Sequence, residues 1–173
     1  MIRVLINGCN GKMGQEVIKA INNNEKFEIL SGMDIKDNPE YTFPVYTKVE
    51  EIKEKPDVII DFSVPVATMK ILEYAKNNKV PIVIATTGLS DEEKQKIKEY
   101  SKETPIFQSA NMSYDINLMK KIVAEVAKNL IGTDIEIVET HHNRKIDAPS
   151  GTALMLADSI NEALDNSMEY NFN

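Results

Sequence analysis

Residues 139–153, ETHHNRKIDAPSGTA, hold both histidines of the chain, Arg144 and Lys145, an Asp-Ala-Pro turn and a Ser-Gly-Thr. Histidine titrates near neutrality and so suits proton transfer, while a lysine ammonium donates a proton or neutralises a carboxylate. His141 and His142 are adjacent at a strand end, so their side chains point to opposite faces. That arrangement is awkward for a shared metal, and no cysteine cluster or HExxH motif accompanies it, so no metal site is expected. One histidine is left for acid/base work and the other for ligand binding, without the residues deciding which. A helix starting near Ser150 would aim the free N–H groups of Gly151 and Thr152 at the same place, where they and the helix dipole favour an anion. The stretch therefore predicts a loop that holds an anionic small molecule beside a proton source.

The elements around it must position those groups. An alternating apolar run at 135–138, inside a strand expected over 134–139, leads into the loop, and an amphipathic helix over 153–164 leads out. Before them, residues 113–131 predict one long helix with Ile116, Met119, Ile122, Val123, Val126 and Leu130 on one face, closed by Gly132. This helix marks the crossing into a second domain.

Further upstream, short buried strands alternate with helices. Strands are expected over 2–7, 27–33, 58–61, 82–85 and 106–108, an irregular loop over 37–47 and a short helix over 49–55. Pro65 suits the first turn of a helix running to about residue 78, and Ser90 with Glu93 forms a capping box for the helix that ends near residue 103. Such alternation implies a doubly wound, Rossmann-type parallel sheet, the α/β class, followed by the start of a smaller α+β substrate domain. The expected division is 1–112 for the dinucleotide-binding domain and 113–173 for a partial substrate-binding and catalytic domain.

The first strand runs into Gly8-Cys9-Asn10-Gly11-Lys12-Met13-Gly14 and then a helical pattern. Glycines there let the backbone turn tightly and approach a pyrophosphate seated on the helix start. The spacing is GxxGxxG rather than GxGxxG, which by itself also fits a tight turn without a ligand. The second strand ends at Asp34, twenty residues beyond Gly14, where a carboxylate accepts from adenosine ribose hydroxyls. Asp34 favours NADH and Lys36 softens that preference towards NADPH. Gly8, Asp34, Phe62, Thr86 and Asn111 all fall at strand ends and outline one cofactor crevice.

Composition narrows the partners. With 20 basic and 27 acidic residues the net charge is −7, which repels a phosphate backbone and argues against nucleic acid. The lone Cys9 permits no intrachain disulfide and reads as a small loop residue. The apolar run at 2–6 is too short for a signal peptide or a membrane span, so a cytoplasmic protein is expected, without a membrane partner.

The string Glu139-Thr140-His141-His142-Asn143-Arg144-Lys145-Ile146-Asp147-Ala148-Pro149-Ser150-Gly151-Thr152-Ala153 closely resembles the EAHHxxKxDAPSGTA signature of the 4-hydroxy-tetrahydrodipicolinate (dihydrodipicolinate) reductase family of bacterial lysine and diaminopimelate biosynthesis. The resemblance runs from residue 2 to about 164 and includes NGCNGKMG, Phe62-Ser63 before Pro65, Ala85-Thr86-Thr87-Gly88 and Ser109-Ala110-Asn111-Met112. Thr140 and Arg144 depart slightly from the family pattern, as do Ala85, where the family often has Gly, and Met112, where it often has Phe. The resemblance implies an NAD(P)H-dependent reductase acting on a cyclic dicarboxylate. It implies that Gly8, Cys9, Asn10, Gly11, Lys12 and Met13 carry the pyrophosphate and Asp34 the ribose, with Ala85, Thr86, Thr87, Ser109, Ala110, Asn111 and Met112 flanking the nicotinamide. It makes His141 the proton donor and acceptor, Lys145 a second proton donor, and His142, Gly151 and Thr152 substrate contacts.

Family members continue well past residue 173, with strands that complete the substrate domain and form a homotetramer interface. The chain is thus expected to be a fragment or to have an incomplete second domain. The runner-up reading is a truncated, non-catalytic NAD(P)-binding module. A third is a related dehydrogenase of an amino-acid-like substrate, against which His141, His142 and Lys145 argue.

Overall fold

A computed structural model describes every residue except Ile131, Arg144, Ile146, Asp147 and Asn173. The expectations placed on Arg144, on Asp147 and on the end of the long helix at Ile131 lie outside the described residues. The chain divides into two compact units, Met1–Ser109 and Ala110–Asn173.

In the first unit, six parallel strands form one sheet: β1 (Ile2–Asn7), β2 (Phe27–Met33), β3 (Val45–Tyr46), β4 (Val58–Asp61), β5 (Ile82–Ile84) and β6 (Ile106–Gln108), in the order β3-β2-β1-β4-β5-β6. The doubly wound α/β fold expected from the alternation is borne out. Residues along β1 alternate between two cores, as strand geometry requires. Leu5 joins Ile59, Ile71, Leu72, Ile82, Ile84 and Ile97 on one face, and Val4 and Ile6 join Cys9, Ile18 and Ile21 on the other. Helix α1 (Lys12–Asn22) covers the second face through Ile18 and Ile21, while α2 (Pro65–Asn78) and α3 (Asp91–Tyr100) cover the first through Ile71, Leu72, Ala75, Ile97 and Tyr100. Pro65 stands in the first turn of α2, and Ser90 and Glu93 form the predicted capping box of α3.

The register carries the functional consequence. Asn7 pairs with Met33 on one side and Asp61 on the other, Asp61 with Ile84, and Ile84 with Gln108. Five strands therefore end at one level, and the loops that follow leave from a common crest. The strand order reverses between β1 and β4, where α/β sheets open a ligand crevice.

Two expectations in this unit are corrected. The loop over 37–47 contains β3, held by hydrogen bonds from Gly32 N–H to the Pro44 carbonyl and from Asp34 N–H to the Tyr46 carbonyl. Pro39 and Pro44 disguised it, because β3 is a two-residue edge strand where proline is tolerated. The helix expected over 49–55 is only a 3-10 turn at Val49–Glu51, capped by Glu51 reaching back to the Lys48 N–H. Pro56 follows closely and discourages longer helix.

The second unit contains α4 (Tyr114–Asn129), N-capped by Ser113, and α5 (Gly151–Ala163), N-capped by Ser150. The predicted strand over 134–139 is corrected: among the described residues no strand pairs with it, so its alternation makes no ladder. Its apolar side chains remain partly open, with Ile135 and Ile137 less exposed than Val138. The face of α4 is also corrected. Ala127 is buried and Ile116, Lys120, Val123 and Ala124 are half-buried, whereas Met119, Ile122, Val126 and Leu130 are exposed. The Ser159 hydroxyl donates to the Lys120 carbonyl at 3.3 Å, so the covered face of α4 is the one that carries Lys120, and Met119, Ile122, Val126 and Leu130 lie away from it.

Candidate active site

In the first unit, β1 leaves the sheet at Gly8, whose φ of +82° is natural only for glycine. A side-chain carbon there would lie 2.5 Å from the Phe62 carbonyl oxygen, so the turn from β1 and the turn from β4 touch through this glycine. Gly14 lets α1 rest against the same turn, since a Cβ would strike the Gly8 carbonyl and Cys9. The turn closes with a Gly11 N–H to Gly8 carbonyl bond of 3.1 Å. Gly11 caps α1 without a side chain, leaving the first N–H groups of the helix for a ligand.

These turns border a cleft of about 1300 Å³, lined among others by Gly8, Asn10, Gly11, Asp34, Lys36 and Phe62. One Asp34 oxygen accepts from the Asn10 N–H at 2.9 Å and the other from the Ile35 N–H at 2.7 Å. The carboxylate is thereby held at the rim with lone pairs remaining for a diol. Asn10 also donates from its amide to the Lys36 carbonyl at 2.8 Å, tying the glycine turn to the segment after β2. Lys12 and Met13 begin α1, and Met13 is half exposed.

Cys9 sits differently from its neighbours. Its side chain is fully buried beneath the turn, close enough to Gly32 that a Cβ there would lie 2.6 Å from Sγ. Burial, and then the charge of Asp34, push the thiol up to about 12, so it stays protonated and inert. The residue contributes packing and backbone rather than a reactive group.

Beyond β5, Ala85 donates its N–H to the Asp61 carbonyl at 2.9 Å, and Thr86 and Thr87 follow. Thr86 is buried; its hydroxyl donates to Asp61 Oδ2 at 3.0 Å and accepts from the Ser63 N–H at 3.0 Å. Anything Thr86 offers a cofactor comes from its main chain. After β6, Ser109 donates its N–H to the Ile84 carbonyl at 3.1 Å. The fully buried Asp61 carboxylate, together with Asn7, Ser63 and Thr68, was not singled out from the sequence. The available signal was a carboxylate closing the otherwise apolar strand VIID.

In the second unit, the chain from Ala110 to Met112 enters α4 through Asn111. The Asn111 side chain accepts from the Ser113 N–H at 2.9 Å and donates to Thr152 Oγ1 at 3.2 Å. The structure thus joins a predicted cofactor residue to a predicted substrate residue 41 positions away. Ser150 caps α5 by accepting from the Ala153 N–H at 3.0 Å, which presents Gly151 and Thr152 as the opening turn of the helix.

Glu139 organises the loop between. One of its oxygens accepts from the Ser150 N–H at 2.7 Å and the other lies 3.6 Å from His141 Nδ1. Hydrogen bonding from Ser150 and then the charges of His141 and Lys145 hold the Glu139 carboxyl below its ordinary range. His141 and His142 are exposed, and Lys145 is half-buried, its N–H donating to the His142 carbonyl at 3.1 Å. One turn therefore carries both histidines and the lysine, with a carboxylate behind His141 and a helix start beside it. Sequence reading placed Glu139 in the motif but missed its anchoring role. Among the described residues, no group of three or more His, Cys, Asp or Glu side chains converges to hold a metal ion. No helix among them is long and apolar enough to cross a membrane.

Comparison with known proteins agrees with this geometry. Family models described as dihydrodipicolinate reductase, N-terminus, and dihydrodipicolinate reductase, C-terminus, match residues 2–112 and 115–172. The 4-hydroxy-tetrahydrodipicolinate reductase of Caldanaerobacter subterraneus subsp. tengcongensis is 54% identical over 170 residues, covering 98% of this chain and 67% of that protein. The enzyme of the same name from Clostridium novyi is 42% identical, covering 99% of this chain and 68% of the relative. Among solved structures, dipicolinate-bound dihydrodipicolinate reductase from Paenisporosarcina sp. TG-14 superimposes with a TM-score of 0.80 at 33% identity, covering 100% of this chain and 70% of that one. The chain spans about two thirds of the length of these relatives. Its glycine turn, its sheet and its HHxxK loop all lie within the matched segments, and the chain belongs to the dihydrodipicolinate reductase family.

Proposed function

We propose that this chain reduces 4-hydroxy-tetrahydrodipicolinate to tetrahydrodipicolinate with NAD(P)H, as an oxidoreductase of lysine and diaminopimelate biosynthesis. The observation that carries the reading is the 139–152 loop, where Glu139 anchors the turn bearing His141, His142 and Lys145 against the start of α5. Residues 1–112 hold the dinucleotide and 113–173 form part of the substrate domain. The first unit fits the cofactor: the Cβ-intolerant Gly8, the uncapped start of α1 and the Asp34 rim line one cleft. Gly8 to Met13 take the pyrophosphate, Asp34 the ribose, and Ala85 to Thr87 with Ser109 to Met112 flank the nicotinamide. Lys36 beside Asp34 gives a cation for a 2′-phosphate, so both NADH and NADPH are accepted.

Bound reduced nicotinamide supplies the hydride. The chain must neutralise two carboxylates and deliver a proton. The Gly151 and Thr152 N–H groups and Lys145 grip one carboxylate, with His142 as a further contact. Glu139 Oε2 lies 3.6 Å behind His141 Nδ1 and orients the imidazole, with His141 as the proton donor and Lys145 as the second. A homotetramer in the cytoplasm completes the proposal, and light scattering tests the assembly.

The test is NADH oxidation with freshly generated substrate, on the wild-type chain and on Lys145→Ala. Wild-type turnover that falls by about 100-fold or more in the variant, with NADH affinity unchanged, is the expected result. Tight NADH binding with no turnover in the wild type would leave a cofactor-binding module instead.

A further inference from the structure

The first unit buries a carboxylate that the proposed chemistry does not use. Asp61, at the end of β4, has no exposed surface and accepts four hydrogen bonds. Asn7 Nδ2 donates to Oδ1 at 2.8 Å and Ser63 Oγ to the same oxygen at 2.5 Å. Thr68 Oγ1 donates to Oδ2 at 2.6 Å and Thr86 Oγ1 to that oxygen at 3.0 Å. The donors come from the ends of β1, β4 and β5 and from α2, so one side chain gathers the whole switch point of the sheet. A buried acid is costly unless fully hydrogen-bonded, and an apolar residue would serve packing alone.

The four donors differ in what else holds them. Asn7 lies within the β1 ladder, where its carbonyl accepts from the Phe62 N–H, and the glycine turn after it is closed by main-chain bonds from Gly8 to Met33 and from Gly11 to Gly8. Thr68 is inside α2. Thr86 lies two residues beyond the last ladder pair of β5, Ile84 with Gln108. Among the described residues its side-chain bonds run to Asp61 and to the Ser63 N–H, on the β4 turn next to it.

We infer that Asp61 is a positioning residue for the nicotinamide end of the cofactor: it fixes Thr86, and with it the Ala85–Thr87 turn, while the pyrophosphate turn is held without it. This rests on the cofactor reading given above for Ala85 to Thr87. A hydride transfer needs its donor placed to within fractions of an ångström; a main-chain bond from Ala85 N–H to the Asp61 carbonyl at 2.9 Å holds the first residue of the turn, and the Thr86 hydroxyl contacts hold the next. In Asp61→Asn, one oxygen facing two donors becomes an amide that itself donates. At the Oδ2 position, where both partners are hydroxyls that can turn to accept, the amide leaves the Thr86 O–H without its acceptor.

The test compares binding of NADH with binding of ADP-ribose, which shares everything but the nicotinamide, to the wild-type chain and to Asp61→Asn, Thr86→Val and Thr68→Val. Thermal unfolding of each variant reports folding. Asp61→Asn and Thr86→Val are expected to lose about tenfold in NADH affinity and to keep ADP-ribose affinity within about twofold. Thr68→Val breaks the same network from the helix side and is expected to change neither, although its melting temperature falls as far as that of Thr86→Val. Thr86→Ser, which keeps the hydroxyl, is expected to restore NADH binding. If Asp61→Asn weakens both molecules equally, or Thr68→Val reproduces its NADH loss, Asp61 is a general structural group and the inference is overturned. If Asp61→Asn binds both like the wild type, the inference alone fails. A wild-type chain that binds neither molecule overturns the cofactor reading and the inference with it.

Discussion

In the first unit Leu5, Ile59, Ile71, Leu72 and Ile84 have no exposed surface to speak of, whereas in the second Ile122, Val126 and Leu130 are each about half exposed. Both units contain apolar residues at the right period, so composition does not separate them. Partners do. A parallel sheet satisfies its backbone internally and offers two faces, each closed by helices, so Val4, Leu5 and Ile6 of β1 and Ile59 of β4 all find a core. Two helices packed on one another cover one stripe each, and on α4 that stripe includes Ile116, Val123, Ala124 and Ala127 while Ile122 and Val126 stay open. The same contrast governs function. The first unit builds its cleft from tightly packed turns, while the second presents exposed histidines on a loop tied down at Glu139, Ser150 and Asn111.

The largest expected difference lies in the cores. Leu72→Ala, at a fully buried position on α2, should cost about 2–5 kcal/mol, and Ile122→Ala on α4 should fall within about 0.5 kcal/mol. Urea unfolding of the two variants checks this. An Ile122→Ala cost near that of Leu72→Ala would mean that this face of α4 is covered in solution, and the contrast would break.

The glycines sharpen it next. Gly14→Ala drives a methyl into the Gly8 carbonyl and Cys9, with an expected cost of about 3 kcal/mol and loss of NADH binding. Gly132 has the same kind of positive φ as Gly8, +82°, but among the described residues beyond its chain neighbours no atom lies within 4 Å of an added Cβ, so Gly132→Ala should cost only about 1 kcal/mol of backbone strain. Calorimetry and NADH titration distinguish overpacking from strain.

Smaller effects belong to the loop. Ser150→Ala removes the cap of α5 and should cost about 1 kcal/mol. Glu139 supplies a pH dependence whose sign follows from its lowered pKa. A carboxyl depressed in the folded state stabilises above its ordinary value near 4.5 and loses that contribution as pH falls through its lower folded value. The Ser150 amide resonance should therefore hold steady from neutrality down to about pH 4.5 and shift below it, and Glu139→Gln should abolish the shift.

The smallest effect is a chemical silence. With its thiol pushed up to about 12 and buried, Cys9 should not react with a disulfide reagent at pH 8 in the folded chain and should react fully in urea. Fast labelling of the native chain would show that the turn at Gly8 opens, removing the rigidity attributed to the first unit.

Local patterns were legible wherever the cause is local. The strand–turn–helix at Gly8, the capping box at Ser90 and Glu93, the Pro65 helix start and the Ser150 cap each depend on a few neighbouring residues. The reading failed where a partner decides. Residues 134–139 alternate like a strand, yet alternation only says which side chains share a face, and a strand exists when another backbone answers its hydrogen bonds. Met119, Ile122, Val126 and Leu130 share a face of α4 in the same way, but the face that is covered carries Ile116, Val123 and Ala127 instead.

The sequence by itself determined the main strand–turn–helix units of the first unit, the glycine turn and the HHxxK loop, because backbone conformation and side-chain chemistry there belong to consecutive residues. Only the tertiary structure decided that Asn7 and Thr86, 54 and 25 positions from Asp61, meet on one buried carboxylate, and that Asn111 meets Thr152. Parallel strands must cross the sheet before they pair, so the residues that share a strand-end level are set by register, which no short window of sequence contains.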